Sequence, residues 1–82
     1  MTTNEPFVGR VLLLSTANYP QEPDFGALRH VDTNYGTVVW LMPRGQPDWM
    51  KPIFKKAQEL GCSMIEFDRD NDTDESLPVY DW

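Results

Sequence analysis

Asp48-Trp-Met-Lys-Pro-Ile-Phe-Lys-Lys-Ala-Gln-Glu-Leu-Gly-Cys-Ser-Met-Ile-Glu-Phe-Asp68 changes its apolar rhythm part-way, and that change decides the fold class. Trp49, Ile53, Ala57 and Leu60 recur at spacings of four, four and three, which is one face of an α-helix. Met50 and Phe54 widen the face, while Lys51, Lys55, Lys56 and Glu59 lie largely away from it. Asp48 stands where an N-cap belongs, and Gly61 where a helix ends. Pro52 fits only the first turn or two, because deeper in the helix it removes a backbone bond and clashes. Met64 to Asp68 then reads as a strand. A helix over 48–60 followed by a strand is the nucleus of an α/β domain.

Upstream, Val8-Gly-Arg-Val-Leu-Leu-Leu-Ser15 is a near-continuous apolar run, the pattern of a central strand buried on both faces. Thr37-Val-Val-Trp-Leu-Met42 is β-branched and aromatic, a second strand. Between them lie Pro20 and Pro23, a short helical stretch over 25–30 that Asp24 is placed to cap and Gly26 weakens, and the turn signal Asn34-Tyr-Gly36. Downstream, Leu77 to Tyr80 fits a short edge strand, where Pro78 is tolerated. The expected order is β-α-β-α-β with a C-terminal extended tail. That makes a small α/β fold, a single-layer sheet of three or four strands covered by one clear helix and one short one. The helix before the last strand has the length of a right-handed parallel crossover.

Eighty-two residues make one domain, 1–82, which buries only about 60–65% of its unfolded surface. Ten aromatic residues supply large pieces of core, so disorder is expected only at residues 1–6 and in the acidic loop 69–76. The net charge of −6 is uneven: seven carboxylates and one base, Arg69, follow Ile65, whereas six of each precede Glu66. Direct nucleic-acid binding is disfavoured, since it needs clustered Lys and Arg, and the stripe Lys51, Lys55 and Lys56 is too small. The single cysteine, Cys62, excludes an internal disulfide and a Cys-cluster zinc site and reads as a small apolar residue. The first residues lack the pattern of a signal peptide, and no apolar run reaches the length of a membrane span. A cytoplasmic protein with no membrane association is the expectation.

Leu14-Ser-Thr-Ala17, Leu60-Gly-Cys62, Phe67-Asp-Arg-Asp70 and Leu77-Pro-Val-Tyr-Asp-Trp82 together resemble a family of small uncharacterised bacterial domains often carried on plasmids and phages. The resemblance covers the order and spacing of these motifs over most of the chain, the 20–35 region excepted. It implies an origin on mobile elements and no assigned chemistry. Within that pattern a histidine often follows Ser-Thr-Ala, where this chain has Asn18, and Gly-Pro often follows the acidic strand end, where it has Asn71-Asp72. Both departures fall on residues that would otherwise suggest catalysis.

Asp68, Asp70 and Asp72 match the opening of a calcium loop, whose first, third and fifth side chains converge on the ion. The match then fails: the sixth position needs glycine and has Thr73, and the twelfth needs a bidentate Glu and has Val79. No specific cation site and no cofactor are expected. A second candidate is the rim at the carboxyl ends of parallel strands, where Ser15, Thr16, Asn18 and Asp68 would meet if the first and last strands are neighbours. Carboxylates there are able to do acid–base work or hold a metal; turn and cap residues satisfying strand ends are the plainer reading. His30, in a polar connection, reads as a surface residue.

Asp70, Asp72, Asp74 and Glu75, followed by Tyr80 and Trp82, form an acidic tract with aromatic neighbours. Either the tail folds back as an extra strand or it is a docking element with aromatic anchors. The leading expectation is therefore a non-enzymatic protein-binding or inhibitor module from a mobile genetic element. It would act on a protein partner through that acidic surface, for instance by occupying a basic groove as phosphates would. The alternative is a small metal-assisted enzyme or ligand-binding domain using the strand-end carboxylates. Assembly as a homodimer through a sheet edge is a further possibility.

Overall fold

A computed structural model describes residues 9–42 and 44–80. Four strands form one sheet: β1 (Val11–Leu14), β2 (His30–Asp32), β3 (Gly36–Trp40) and β4 (Met64–Asp68). Their spatial order is β1-β4-β3-β2. β1 and β4 are parallel, with Leu12 beside Ile65 and Leu14 beside Phe67. β3 runs antiparallel to both β4 and β2. A 3₁₀ turn (Asp48–Met50) leads into the single α-helix, α1 (Lys51–Glu59). The class is mixed α/β, as the helix-then-strand stretch predicts.

The β-α-β-α-β order does not hold. Residues 25–30 make no helix: Gly26 takes a positive φ of 60°, the Leu28 amide bonds the Phe25 carbonyl, and the chain straightens into β2. A 3₁₀ turn (Thr16–Asn18) is the only helical piece between β1 and β2 among the described residues. Nor does α1 join parallel neighbours, since β3 and β4 are antiparallel. The reason is length. Residues 41–47 reach up to about 23 Å when extended, and the helical stretch 48–59 spans about 18 Å, so the connection runs out and back. The parallel partner of β4 is β1, whose Val11 lies beside Met64, 53 residues later in the chain.

One face of the sheet carries Leu12, Leu14, Thr37, Val39, Ile65 and Phe67, and α1 covers it with Met50, Ile53, Phe54 and Ala57. Those helix positions follow the i, i+3, i+4, i+7 pattern of one helical face. The buried stripe is thus rotated slightly from the expected one: Trp49 is half-buried and Leu60, at the helix C-cap, is exposed. Asp48 lies in the 3₁₀ turn, pairs with Lys51 and does not serve as the helix N-cap. Pro52 is in the first turn, and Gly61 ends the helix with φ near 70°. There the Cys62 amide bonds the Ala57 carbonyl and the Gly61 amide the Gln58 carbonyl, the paired closure of a Schellman motif.

β1 is an edge strand and not a central one. Leu12 and Leu14 face the core, whereas Val11 and Leu13 lie on the sheet's second face and are exposed. The apolar run suggested cover on both faces, but the only α-helix among the described residues packs against one. No helix among the described residues is long and apolar enough to cross a membrane. Residues 1–6, expected to be disordered, lie outside the described residues.

Candidate functional site

Two polar clusters occupy the end of the sheet where β1 and β4 finish. The first is built on the turn that follows β1. Ser15, buried, accepts the Ala17 amide on its Oγ and so caps the 3₁₀ turn. That turn drives Asn18 inward until no part of it is exposed. A buried amide must be bonded, and Asn18 is: its Nδ2 donates to the carbonyls of Asp74 and Pro78 at 3.0 Å each, and its Oδ1 accepts the Asp74 amide at 3.1 Å. Asn18 is therefore a clamp between the β1 turn and the tail.

Asp74 is spent in the same clamp. Its Oδ2 pairs with Lys56 Nζ, and its Oδ1 accepts the Ser76 amide and hydroxyl. Lys56 also donates to Ser76 Oγ at 2.8 Å. The hydrogen bond from Lys56, helped by those from Ser76, holds the Asp74 carboxyl down at about 2 from its usual 3.8. Leu77 is buried behind this clamp, and the Tyr80 amide bonds the Ala17 carbonyl at 2.8 Å. The tail is packed without forming a strand as far as Tyr80; Trp82 lies outside the described residues.

The acidic loop is ordered by its own bonds. Asp68 Oδ1 accepts the Asp70 amide, and Asn71 Nδ2 donates to the Leu14 carbonyl and to Glu66 Oε1. Asp70, Asp72 and Glu75 remain exposed. Of the carboxylates assigned to a partner-binding surface, these three face solvent, while Asp74 is internally paired and Tyr80 half-buried. Among the described residues, no three His, Cys, Asp or Glu side chains are grouped as metal ligands.

The expected rim of Ser15, Thr16, Asn18 and Asp68 does not converge. Ser15 and Asn18 are buried in the clamp, and Asp68 follows Phe67 on the strand's other side. Thr16 alone of the four lines the second cluster, an open cleft of about 570 Å³ on the helix side of the sheet. Its aromatic walls are Tyr19, Phe25 and Tyr35, and its polar groups include His30, Asp32, Thr37 and Arg69. Tyr19 stacks on Phe67 with ring centroids 4.8 Å apart, which anchors that wall to the core.

Each polar group has a defined position. His30 and Asp32 alternate with Val31 on β2, so both point to the cleft side. The His30 ring lies 4.8 Å from Phe25, and its Nδ1 is 3.1 Å from the Leu28 carbonyl. A carbonyl only accepts, so Nδ1 donates in this contact and Nε2 is left facing the cleft. Thr37 Oγ1 donates to Asp32 Oδ1 across the strand pair. Arg69 lays its guanidinium over Tyr35, 4.9 Å from the ring centroid, while its amide bonds the Tyr35 carbonyl. Gly36 is required here because a Cβ would stand 1.7 Å from the Phe67 carbonyl oxygen. The cleft thus offers one cation, one carboxylate and an imidazole on aromatic walls.

Thr16 and Arg69 belong to two motifs, Leu14-Ser-Thr-Ala17 and Phe67-Asp-Arg-Asp70, that meet at this cleft although 49 residues of chain lie between the motifs. Residues 10–82 match a family described as "Family of unknown function (DUF5983) C-terminal domain". The chain belongs to this family. No curated protein and no solved structure matches the chain. Membership in the family carries no assigned activity, so the functional reading rests on the site.

His30, Asp32, Tyr35 and Arg69 were not legible as cleft residues in the sequence. β2 is three residues long, too short for its alternation to stand out. The pairing of Arg69 with Tyr35 depends on a strand register that no local pattern announces.

Proposed function

We propose that this chain is a non-enzymatic protein-binding module from a mobile genetic element. Its strand-end cleft receives a side chain of the partner, and the exposed carboxylates of the neighbouring loop form the rim. The observation that carries this reading is the cleft itself, about 570 Å³ with aromatic walls, continuous through Arg69 with the exposed Asp70. An aromatic-walled pocket beside charged groups is the form of an interface anchor site. Asp70, Asp72 and Glu75 favour a basic rim on the partner, whereas Asp74 is committed to Lys56.

The test is retention of proteins from bacterial lysate on the tagged chain, identified by mass spectrometry. Two variants run alongside: Thr16→Trp, which fills the cleft, and Asp70→Asn/Asp72→Asn/Glu75→Gln, which neutralises the rim. A near-stoichiometric partner that is lost with Thr16→Trp and weakened by the neutral rim supports the reading. Equal retention by wild type and both variants removes it. A second reading, a small-ligand domain, is favoured by the cleft's volume, which falls within the range of about 300–1,000 Å³ of small-molecule sites. A ligand that raises the melting temperature of wild type but not of Thr16→Trp would select it.

A further inference from the structure

The second face of the sheet, opposite the cleft, is uncovered among the described residues. Its side chains form a grid fixed by strand register. One cross-strand row is Val11, Met64 and Trp40; the next along β4 is Leu13, Glu66, Val38 and Val31. Val11, Leu13 and Val31 are 41%, 57% and 51% exposed, so this is an apolar surface facing water. Three charged groups lie on it: Asp68, beside Gly36 beyond the second row, Glu66, whose Oε1 also accepts from Asn71 Nδ2, and Arg29. Glu66 is near the centre of the second row, and Arg29 stacks its guanidinium 4.7 Å from the Trp40 ring in the first.

We infer that this face packs against a second copy of the same chain, about a two-fold axis that lies in the interface, perpendicular to the strands and midway between the two rows. Sheets pack face to face about 10 Å apart with their side chains interleaved. The stated operation lays each row over the other row of the second copy. Val11 then faces Leu13, Trp40 faces Val38, and Met64 covers Glu66. The Arg29 guanidinium, held over Trp40, comes to lie above the second copy's Val38. Viewed along the sheet normal, that is offset by about one strand spacing, 4.8 Å, from the second copy's Glu66, within reach of the long Arg29 and Glu66 side chains.

Symmetry makes this pairing twice. A self-complementary patch of this kind is the requirement of an isologous dimer. A partner of one charge would answer either Arg29 or Glu66, whereas a second copy answers both. The cleft lies on the other side of the sheet and stays open in the dimer. The inference therefore stands independently of the proposed function.

Sedimentation of the full chain at high micromolar concentration tests it, with the dimer mass expected. Leu13→Asp, exposed in the monomer, should halve that mass while leaving the circular dichroism spectrum and melting temperature of a folded chain. Arg29→Glu and Glu66→Arg should each weaken the dimer by about tenfold or more, and the double charge swap should recover it. A wild-type monomer overturns the inference. A dimer that survives Leu13→Asp, or single swaps without effect, overturns it equally.

Discussion

The two polar clusters at the end of the sheet are neighbours in space and opposites in state. In the clamp, every side-chain polar atom of Asn18 and Asp74 is bonded within the chain, and Asn18 is wholly buried. In the cleft, His30, Asp32 and Arg69 have exposed side chains, held by the Phe25 ring and Leu28 carbonyl, by Thr37, and by the Tyr35 ring respectively. Burial raises the worth of each bond because the alternative is an orphaned group, not a hydrated one. The clamp therefore belongs to stability, and the cleft to recognition. Composition alone does not separate them, since both are built from ordinary polar residues following strand ends.

The strongest way to break this division is at Asn18. Asn18→Ala removes three hydrogen bonds and leaves the Asp74 amide and the Pro78 carbonyl without theirs, so a loss of about 3 kcal/mol in urea unfolding is expected. A loss below about 1 kcal/mol would show that the clamp is not what holds the tail.

Acid sharpens the contrast next. The Asp74 carboxyl is held at about 2 in the folded chain against 3.8 ordinarily, chiefly by its bond from Lys56. A folded value below the unfolded one gives stability that is present above pH 4 and lost as the pH falls towards 2. Asp74→Asn should therefore flatten the decline in unfolding free energy across that window. An unchanged profile would mean that the carboxylate is not coupled to folding.

The smallest effect belongs to the cleft. Asp32→Ala and Arg69→Ala should each change unfolding free energy by no more than about 1 kcal/mol, since exposed polar groups contribute little to stability. If either costs as much as Asn18→Ala, the cleft is a structural element and its role in recognition fails.

The legible parts of the molecule were those written in local rhythm. Ile53, Phe54 and Ala57 announce α1, Met64 to Asp68 announce β4, and Gly61 marks the helix end by the one conformation that glycine adopts freely. The illegible parts depend on long-range register. Val11 and Leu13 look like core residues until the sheet is seen to have no second cover among the described residues, and Asn18 looks like a turn residue until Asp74 and Pro78 arrive. Asp74 sits in a row of evenly spaced aspartates, yet only its distance from Lys56 distinguishes it from Asp72. The candidate site divides in the same way: Thr16 was within reach of a reading of strand ends, whereas His30, Asp32 and Arg69 were not.

The Asn18 clamp has a consequence for synthesis. Its partners lie 56 and 60 residues further along the chain. A ribosome delivers Asn18 early and must then translate most of the domain before its partners within the chain can replace water around it. Until Asp74 and Pro78 emerge, the nascent chain carries an unclosed turn beside an apolar strand. The domain thus folds as a late, concerted event and not by stepwise growth from its beginning.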